Sequence, residues 1–274
     1  MKTKKHSLED VRDFWDKFSC GEIYAHGVSA YENFKNETST RYKLEPYIKN
    51  FADFPSYKGL DVLEIGVGMG SDHSSIASAL PKSLHGIDLT QRSIEKTKER
   101  FEIYKLKSNL KVDNAEDLSF ENNSFDAVYS WGTLHHSPNT KKCIEEVHRV
   151  LRPGGIAKIM IYYKYSSTGF ILWLRYGLMS LKPFRPWDDI FANHLESPGT
   201  KAYSLKEAKE LTEKFSEANF EVQVSHADTF EGEVGQRHKG MLLKIAKTFY
   251  PKKFVRFIGR HIPIGLFLLI TLKK

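Results

Sequence analysis

Two adjacent histidines are the side chains of this 274-residue chain best suited to move a proton. An imidazole titrates near neutral pH, so it can act as a general base toward a hydroxyl group. His135 and His136 follow residues 124–132, an apolar run that reads as a strand, and open the next helix. We expect His136 to be the base and His135 to be the second candidate; the alternative is that both only pack or fill the helix start. Neither has a carboxylate or thiol at metal-ligand spacing in the sequence, so we predict no metal site.

Glycines supply the second chemical pattern. Gly66, Gly68 and Gly70 follow residues 62–65, whose apolar and β-branched side chains predict a buried strand. Ser71 is placed to cap the helix that comes next. Because glycine has no Cβ, the backbone of such a turn can approach a ligand closely, and the helix N-terminus offers unpaired N–H groups. This geometry suits a nucleotide-like ligand.

The spacing of these glycines distinguishes a dinucleotide from other nucleotide-like ligands. A dinucleotide-binding fold carries G-x-G-x-x-G, with the third glycine at the helix that holds a pyrophosphate. Here the third glycine follows the second by two, and Glu64 stands two residues before the first. A carboxylate at that place repels a pyrophosphate but can accept hydrogen bonds from an ammonium group. The segment closely resembles the first motif of the class I S-adenosylmethionine-dependent methyltransferases, which implies S-adenosylmethionine as cofactor, S-adenosylhomocysteine as product and cofactor contacts at Glu64, Gly66, Val67, Gly68 and Gly70.

Further motifs of that family follow in order. Residues 83–88 read as a second strand ending in Asp88, whose carboxylate can accept hydrogen bonds from both ribose hydroxyls. Asn114 lies where the family reads the adenine edge, but the chain departs from the family here, because Asn114 replaces a usual Asp and Ser119 a usual Pro. An amide oxygen can still accept from an adenine amino group, without a charge. The resemblance extends the cofactor contacts to Leu89, Ala115, Glu116, Ser130, Trp131 and His135.

The complete motif order over residues 60–162 implies a fold and an activity. It closes with a helix stop at residues 153–155, Pro-Gly-Gly, and a fifth strand at residues 156–162. The implied fold class is α/β: a Rossmann-like, doubly wound, seven-stranded sheet with its last strand antiparallel, plus N-terminal helices and helical lid insertions. The implied activity is methyl transfer from S-adenosylmethionine to a small-molecule acceptor, such as a hydroxyl of a glycan, a lipid-linked or a secondary-metabolite substrate. A doubly wound sheet without a cofactor is the structural alternative.

The chain divides into a predicted N-terminal helical cap, residues 1–55, and a predicted methyltransferase domain, residues 56–274. We expect four residues of the cap to bind the cofactor carboxylate or the substrate: Tyr24, His26, Arg41 and Tyr42. The domain has predicted insertions at about 163–203 and 232–262. The first is rich in aromatic and aliphatic residues, which favours a partly apolar substrate pocket, although core or dimer packing would use the same residues.

The net charge of +7 is concentrated in the C-terminal segment. Residues 234–274 contain ten Lys or Arg and no acid, so the preceding 233 residues have a net charge of −3. Amphipathic basic helices in this segment would suit peripheral contact with an anionic membrane surface, or a protein core with a solvated face. Nucleic acid is not the expected partner, because no recognition motif accompanies the charge. Two functional alternatives stay open: an RNA methyltransferase that uses this segment, and a catalytically inactive cofactor-binding subunit.

Composition points to a reducing compartment. Cys20 and Cys143 are too few for a disulfide framework. The N-terminus lacks the apolar stretch of a secretion signal, and the longest uncharged apolar runs fall short of the roughly 20 residues that span a bilayer. We therefore expect a cytoplasmic protein, with peripheral membrane contact as the variant. The sequence makes no prediction of oligomeric state.

Overall fold

The computed structural model describes residues 6–17, 19, 21–231, 252–259 and 261–274. Its centre is a seven-stranded sheet built from β1 (Asp61–Ile65), β2 (Ser83–Asp88), β3 (Asn109–Val112), β4 (Phe125–Trp131), β5 (Leu151–Tyr162), β6 (Glu217–Gln223) and β7 (Phe267–Lys273). The strand order is β3-β2-β1-β4-β5-β7-β6. β7 is antiparallel to both of its neighbours, whereas the other pairs are parallel. The predicted fold class is confirmed.

Helices flank this sheet and precede it. The described α-helices are α1 (Leu8–Trp15), α2 (Ala30–Leu44), α3 (Tyr47–Ala52), α4 (Ser71–Ser78), α5 (Gln91–Ile103), α6 (Thr140–Val150), α7 (Ser167–Trp173), α8 (Trp187–His194), α9 (Leu205–Leu211) and α10 (Lys252–Gly259). None of them is long and apolar enough to cross a bilayer. The predicted division of the chain at residue 55 stays a prediction.

The sheet is covered on both faces, which explains the uninterrupted apolar runs of its central strands. Successive side chains of a strand point to opposite faces, and Val62 and Leu63 accordingly belong to two different buried clusters. One cluster joins the sheet to α3 through Ile48 and Ala52, and the other joins it to α6 through Ile144. All five residues of β1 are buried, as a central strand of a doubly wound sheet requires.

The start of α4 differs from the prediction. Gly70, not Ser71, is the N-cap, with a φ of 77°. The Ser71 prediction is wrong because the left-handed glycine itself closes the turn, so Ser71 already lies in the helix. Its hydroxyl instead lies 2.8 Å from the hydroxyl of Thr38 on α2. The serine therefore joins the N-terminal helices to the sheet domain.

The helix after β4 begins later than predicted. His135 and His136 lie in a short 3-10 turn, and Asn139 caps α6. Pro138 disfavours helical backbone at the residue before it, and Ser137 is extended. The two histidines are therefore held in a turn at the carboxyl edge of the sheet rather than in a helix.

The first predicted insertion, residues 163–203, is here called the lid. In it, α7 continues into a π-helical turn, Leu174–Leu178, and α8 follows. Of the second insertion, residues 232–251 and 260 lie outside the described residues, and so does that part of the predicted amphipathic basic segment. α10 lies in the described remainder of that insertion.

A buried ion pair fixes α2 to the sheet domain. Arg100 Nη2 of α5 lies 2.5 Å from Glu37 Oε2 of α2, and the two side chains are 0% and 3% exposed. Arg100 also donates to Thr38 Oγ1 at 2.6 Å. Charges taken out of water in this way hold their geometry tightly, because losing either partner leaves the other uncompensated. α2 is thus held firmly against α5 of the sheet domain.

Candidate active site

A cavity of about 720 Å³ lies at the carboxyl ends of β1, β2 and β4. This is the switch point of the sheet, where strand order reverses and open α/β sheets bind ligands. The volume falls within the roughly 300–1,000 Å³ of small-molecule sites. Its lining comes from the glycine turn, the exits of β2 and β4, the N-terminal helices and the lid.

The glycine turn forms the floor of the cavity. A Cβ on Gly66, at a φ of 87°, would lie 2.0 Å from Thr133 Oγ1, so no side chain fits there. A Cβ on Gly68, at a φ of 53°, would meet nothing within 4 Å and would enter open space. Gly68 lines the cavity. The turn is therefore packed closely against the exit of β4 on one side and leaves its backbone accessible to a ligand on the other.

Asp88 ends β2 beside this turn. Its Oδ1 accepts from the backbone N–H and the hydroxyl of Thr90 at 3.0 and 2.9 Å, and its Oδ2 accepts from the N–H of Gly68 at 3.1 Å. Burial raises the pKa of this carboxyl group, and the hydrogen bonds oppose that rise. The carboxylate is thus oriented by its neighbours while it lines the cavity. It keeps lone pairs for a ribose diol.

Glu64 is the last residue but one of β1, and its side chain contacts a histidine. Its Oε2 lies 2.8 Å from His73 Nδ1, and both side chains are buried. Burial raises the pKa of Glu64 and lowers the pKa of His73 to about 3, so the imidazole stays neutral at working pH. An ammonium group in the cavity would lower the pKa of Glu64 again and keep it ionised.

Asp72 at the start of α4 gathers three donors. It accepts from Arg41 Nη2 at 2.6 Å, from the Tyr42 hydroxyl at 3.0 Å and from the Tyr129 hydroxyl at 2.9 Å. Arg41 lines the cavity, as predicted for a residue that binds a carboxylate. Tyr42 lies outside the lining, and its hydroxyl also contacts Ser75 at 2.8 Å. The structure therefore gives Tyr42 a contact with Asp72 instead of one with the cavity.

The other predicted cofactor-binding residues, which lie at the ends of β1, β2, β3 and β4, divide into two groups. Val67, Leu89, Asn114, Ala115 and Trp131 line the cavity. Asn114 Oδ1 already accepts from the N–H of Glu116 at 3.0 Å, so an adenine amino group would be its second donor. The Glu116 carboxylate accepts from the N–H of Asn139 at 2.8 Å, and Ser130 Oγ donates to the carbonyl of Ile65 at 2.9 Å. Glu116 and Ser130 thus hold neighbouring segments and are outside the lining.

The two histidines of the 3-10 turn occupy different places. His136 lines the cavity, with Nδ1 2.8 Å from Ser197 Oγ and Nε2 3.4 Å from Glu196 Oε2. Burial lowers its pKa to about 3. His135 is fully buried behind it, outside the lining, with its ring centroid 3.9 Å from that of Tyr162. Neither ring nitrogen of His135 has a hydrogen-bond partner among the described residues.

A carboxylate from the lid joins these histidines. Glu196 Oε2 accepts from the Tyr162 hydroxyl at 2.6 Å, and the ligand atoms of His135, His136 and Glu196 all lie within 4.8 Å of one another. The expectation that the histidines lack a carboxylate partner is therefore wrong, because the lid brings one from sixty residues away. The three side chains could hold a metal ion; that the protein works without one stays a prediction.

A second histidine–carboxylate pair lies across the cavity. His226 Nδ1 is 3.3 Å from Glu45 Oε1, and both residues line the cavity. Burial alone would lower the pKa of His226, but the nearby carboxylate of Glu45 outweighs it and raises the pKa. Glu45 also lies 3.7 Å from Arg41 Nη1. An imidazole with a carboxylate on one nitrogen is the usual arrangement for proton transfer at the other.

The loop that carries His226 is fixed by Asp228, which is 1% exposed. Asp228 Oδ2 accepts from the N–H and hydroxyl of Ser225 at 2.9 Å each and from the N–H of Leu266 at 2.6 Å. Its Oδ1 accepts from the N–H and hydroxyl of Thr168 at 3.1 and 3.0 Å. One buried carboxylate thus joins the His226 loop, the first turn of α7 and the entry to β7.

The cavity wall around His136 and His226 is apolar. Its side chains come from α1, the lid, the loop after β6 and residues around the start of β7, and they include Leu8, Val11, Trp15, Ile171, Leu172, Leu195, Phe230, Leu266 and Phe267. Tyr24 lines the cavity as predicted, whereas His26 does not. The lid thus contributes to an apolar pocket wall, as its composition predicted.

Comparison with known proteins supports one family. A family model described as a methyltransferase domain matches residues 62–155. Phosphoethanolamine N-methyltransferase 2 of Caenorhabditis elegans is 30% identical over 215 residues, which make up 76% of this chain and 43% of that protein. Phthiotriol/phenolphthiotriol dimycocerosates methyltransferase of Mycobacterium tuberculosis is 38% identical over 110 residues, or 40% of this chain and 38% of that protein. These matches support the class I S-adenosylmethionine-dependent methyltransferase family, with residues 62–155 as the methyltransferase domain.

At the level of the family, these matches agree with the predicted family and cofactor. The methyltransferase fold is shared with Haemonchus contortus phosphoethanolamine N-methyltransferase 2, solved with phosphomonomethylethanolamine and S-adenosylhomocysteine. That likeness has a TM-score of 0.60 and 20% identity, over 96% of this chain and 60% of the other. The chain spans less than half the length of the two relatives matched by sequence.

Sequence reasoning missed four residues of this methyltransferase cavity. Glu45 and His226 gave no local signal, because the pair joins α2 to the loop after β6. Glu196 lies in the lid, where composition predicted apolar packing. Asp72 follows the glycine turn closely in the sequence, and this position alone could have indicated that it belongs to the site.

Proposed function

We propose that this methyltransferase transfers the methyl group of S-adenosylmethionine to a small amphipathic acceptor, and that His226 takes up the acceptor proton. The observation that carries the proposal is one cavity with two unlike ends. A glycine turn and a fixed Asp88 lie at one end. An apolar wall with two histidine–carboxylate pairs lies at the other.

The first end fits the cofactor residue by residue. Gly68 admits close backbone approach, and Asp88 can accept from the ribose hydroxyls. Glu64 can accept from the ammonium group, and Arg41 keeps N–H donors for the carboxylate beside its bond to Asp72. Asn114 is proposed to accept from the adenine amino group, between the apolar side chains of Val67, Leu89, Ala115 and Trp131. When bound, S-adenosylmethionine supplies an activated methyl group on a sulfonium.

The protein then has to orient an acceptor, exclude water and remove a proton. A general base works best when its pKa lies near the working pH. Burial holds the pKa of His136 at about 3, whereas Glu45 raises the pKa of His226. We therefore assign the base to His226, and to His136 a hydrogen bond that orients the acceptor. The sequence-based assignment of the base to His136 is the alternative that the same variants test.

The end of the cavity with the apolar wall favours an acceptor that has an apolar part. Its wall is formed mainly by aliphatic and aromatic side chains, and its polar groups include Tyr24, Tyr162, Arg175 and the two histidine–carboxylate pairs. A hydroxyl or amine near those pairs with a hydrocarbon part along the wall satisfies both surfaces. One relative is named for phosphoethanolamine and the other for dimycocerosate lipids. A lipid or lipid-like acceptor is therefore the proposed class.

A labelling experiment tests the reaction. Purified protein and radiolabelled S-adenosylmethionine are incubated with separated lipid, glycan, small-metabolite and RNA fractions of a cell extract. We expect label in the lipid or another solvent-extractable fraction. Label in RNA alone would support the RNA methyltransferase alternative. No heat with S-adenosylhomocysteine in calorimetry, together with binding of a nicotinamide dinucleotide, would remove the methyltransferase proposal itself.

Two histidine variants test the assignment of the base. His226→Gln should lower turnover by about 10²–10⁴-fold with unchanged S-adenosylhomocysteine affinity. His136→Gln should mainly raise the KM of the acceptor. The opposite pattern would return the base to His136. A cytoplasmic location and peripheral membrane contact also remain proposals.

A further inference from the structure

Two exposed elements of this protein combine apolar and basic side chains without any acid. One is the lid tip, residues 174–185; the other is α10 with the residues after it, to 262. We propose that these two elements dock the carboxyl edge of the sheet onto a bilayer that contains anionic lipids. The proposal deepens the proposed function, because it places the mouth of the cavity at a lipid surface.

The lid tip presents large apolar side chains to solvent. Met179, Leu181 and Phe184 are 73%, 90% and 97% exposed. Leu181 also has a φ of 57°, a left-handed conformation that a leucine rarely adopts. The tip carries Arg175, Lys182 and Arg185 and no acidic residue. Exposed bulky apolar groups among cations are typical of segments that insert at a bilayer interface.

α10 repeats this composition. Val255 packs inward, while Phe254 and Phe257 are 59% and 60% exposed. Residues 252–262 contain four Lys or Arg and no acid. A helix that buries one residue and exposes two phenylalanines beside lysines suits an interface better than water.

The fold brings both elements to one edge of the sheet. Asp228 accepts from Thr168 in the first turn of α7, which leads into the lid tip, and from Leu266, which follows α10. The N–H of Gly265 also donates to the carbonyl of Tyr165 at the root of the lid, at 3.4 Å. The two elements therefore leave the domain side by side, at the carboxyl edge where the cavity lies.

The lid joins this surface to the cavity. Arg175 is exposed and lines the cavity, and Ile171, one turn before it, lines the apolar wall. An acyl chain that leaves a bilayer would thus pass Arg175 first and then reach the apolar wall at Ile171. A second copy of the chain is a poorer occupant, because it would set two basic segments against each other, although Asp189 and Glu231 each pair with one arginine.

Vesicle co-sedimentation tests the docking. The full-length protein is mixed with vesicles of phosphatidylcholine alone or of phosphatidylcholine with phosphatidylglycerol. We expect co-sedimentation with the mixed vesicles, little with phosphatidylcholine alone, and loss as salt increases. Leu181→Ser with Phe184→Ser should weaken binding about tenfold or more. Lys182→Gln and Lys253→Gln should each weaken it about fivefold, since each cation near an anionic surface adds a similar increment.

Leu80→Ser is the matched control. Leu80 is also a leucine at positive φ, 60°, and is 71% exposed, but it lies in the turn before β2, at the amino edge of the sheet. Its variant should bind vesicles as the wild type does. Equal binding to both vesicle types, or binding that survives the lid-tip and α10 changes, would overturn the docking surface. Salt-sensitive binding to RNA but not to vesicles would overturn it as well.

Calorimetry with S-adenosylhomocysteine on the same samples separates this proposal from the function. Leu181 and Phe184 lie outside the cavity lining, so their variants should bind the cofactor product normally; this also shows that they are folded. Cofactor binding without vesicle binding overturns only the docking. Vesicle binding without cofactor binding overturns only the methyltransferase function.

Discussion

The two ends of the cavity are built in different ways. The cofactor end is mostly backbone and short-range contact: the glycine turn, Asp88 and Glu64 lie within 25 residues of one another. The acceptor end is assembled from side chains that the chain brings together over long distances, such as Glu45 with His226 and His136 with Glu196. The cofactor end therefore has little freedom to vary, whereas the lid and the loops can change the acceptor without disturbing the fold.

The largest effect should come from filling the cofactor end. Gly68→Val adds a side chain in the open space above the turn, so S-adenosylhomocysteine binding measured by calorimetry should be abolished. Gly59→Val is the control. Gly59 also has a positive φ, 74°, and nothing within 4 Å of an added Cβ, but it lies outside the cavity. It should share the backbone strain and keep the affinity; an equal loss in both variants would mean that strain, not blockage, explains the result.

A large effect on stability should come from the buried ion pair that joins α2 to α5. Glu37→Gln leaves the guanidinium of Arg100 buried without its charge partner, which should cost about 3–5 kcal/mol in the free energy of unfolding. Denaturant titration measures it. Glu217→Gln removes an exposed partner of Lys273 and should cost less than about 1 kcal/mol. Similar values for the two would show that α2 is not fixed by this pair.

The acceptor end should give a smaller effect that depends on pH. Glu45 raises the pKa of His226, with lesser contributions from Glu196 and Asp228, so Glu45→Gln should lower that pKa. The acidic limb of the activity profile should then move to lower pH. Because the folded pKa is raised, the pair stabilises the protein at low pH and loses this contribution as pH rises through the raised value. Glu45→Gln should therefore destabilise the protein more on the acidic side.

Glu196→Gln is the companion variant for this pH dependence. Glu196 faces His136 and adds less than Glu45 to the pKa of His226. It should move the acidic limb less than Glu45→Gln does. A larger movement for Glu196→Gln would assign the titrating group to His136 and would reverse our choice of base.

The cofactor end, which is built from local contacts, could be predicted from the sequence, whereas most of the acceptor end could not. The strands and the glycine turn follow from local patterns, because each residue there acts through its own backbone or its near neighbours. Glu116 and Ser130 were expected to face the cofactor, but a motif gives a position and not the direction of a side chain, and both turn to neighbouring segments. Glu196 and His226 meet their partners only after the sheet has formed. No local pattern encodes such pairs.

Asp228 has a consequence for the timing of a catalytic cycle. The lid helix cannot lift at Thr168 without breaking two hydrogen bonds to the carboxylate that also holds the loop of His226. Lifting the lid at Thr168 would therefore also loosen the support of the loop that carries His226, the proposed base. Under the proposed function, acceptor entry through a raised lid and proton removal by His226 would then take place at separate times.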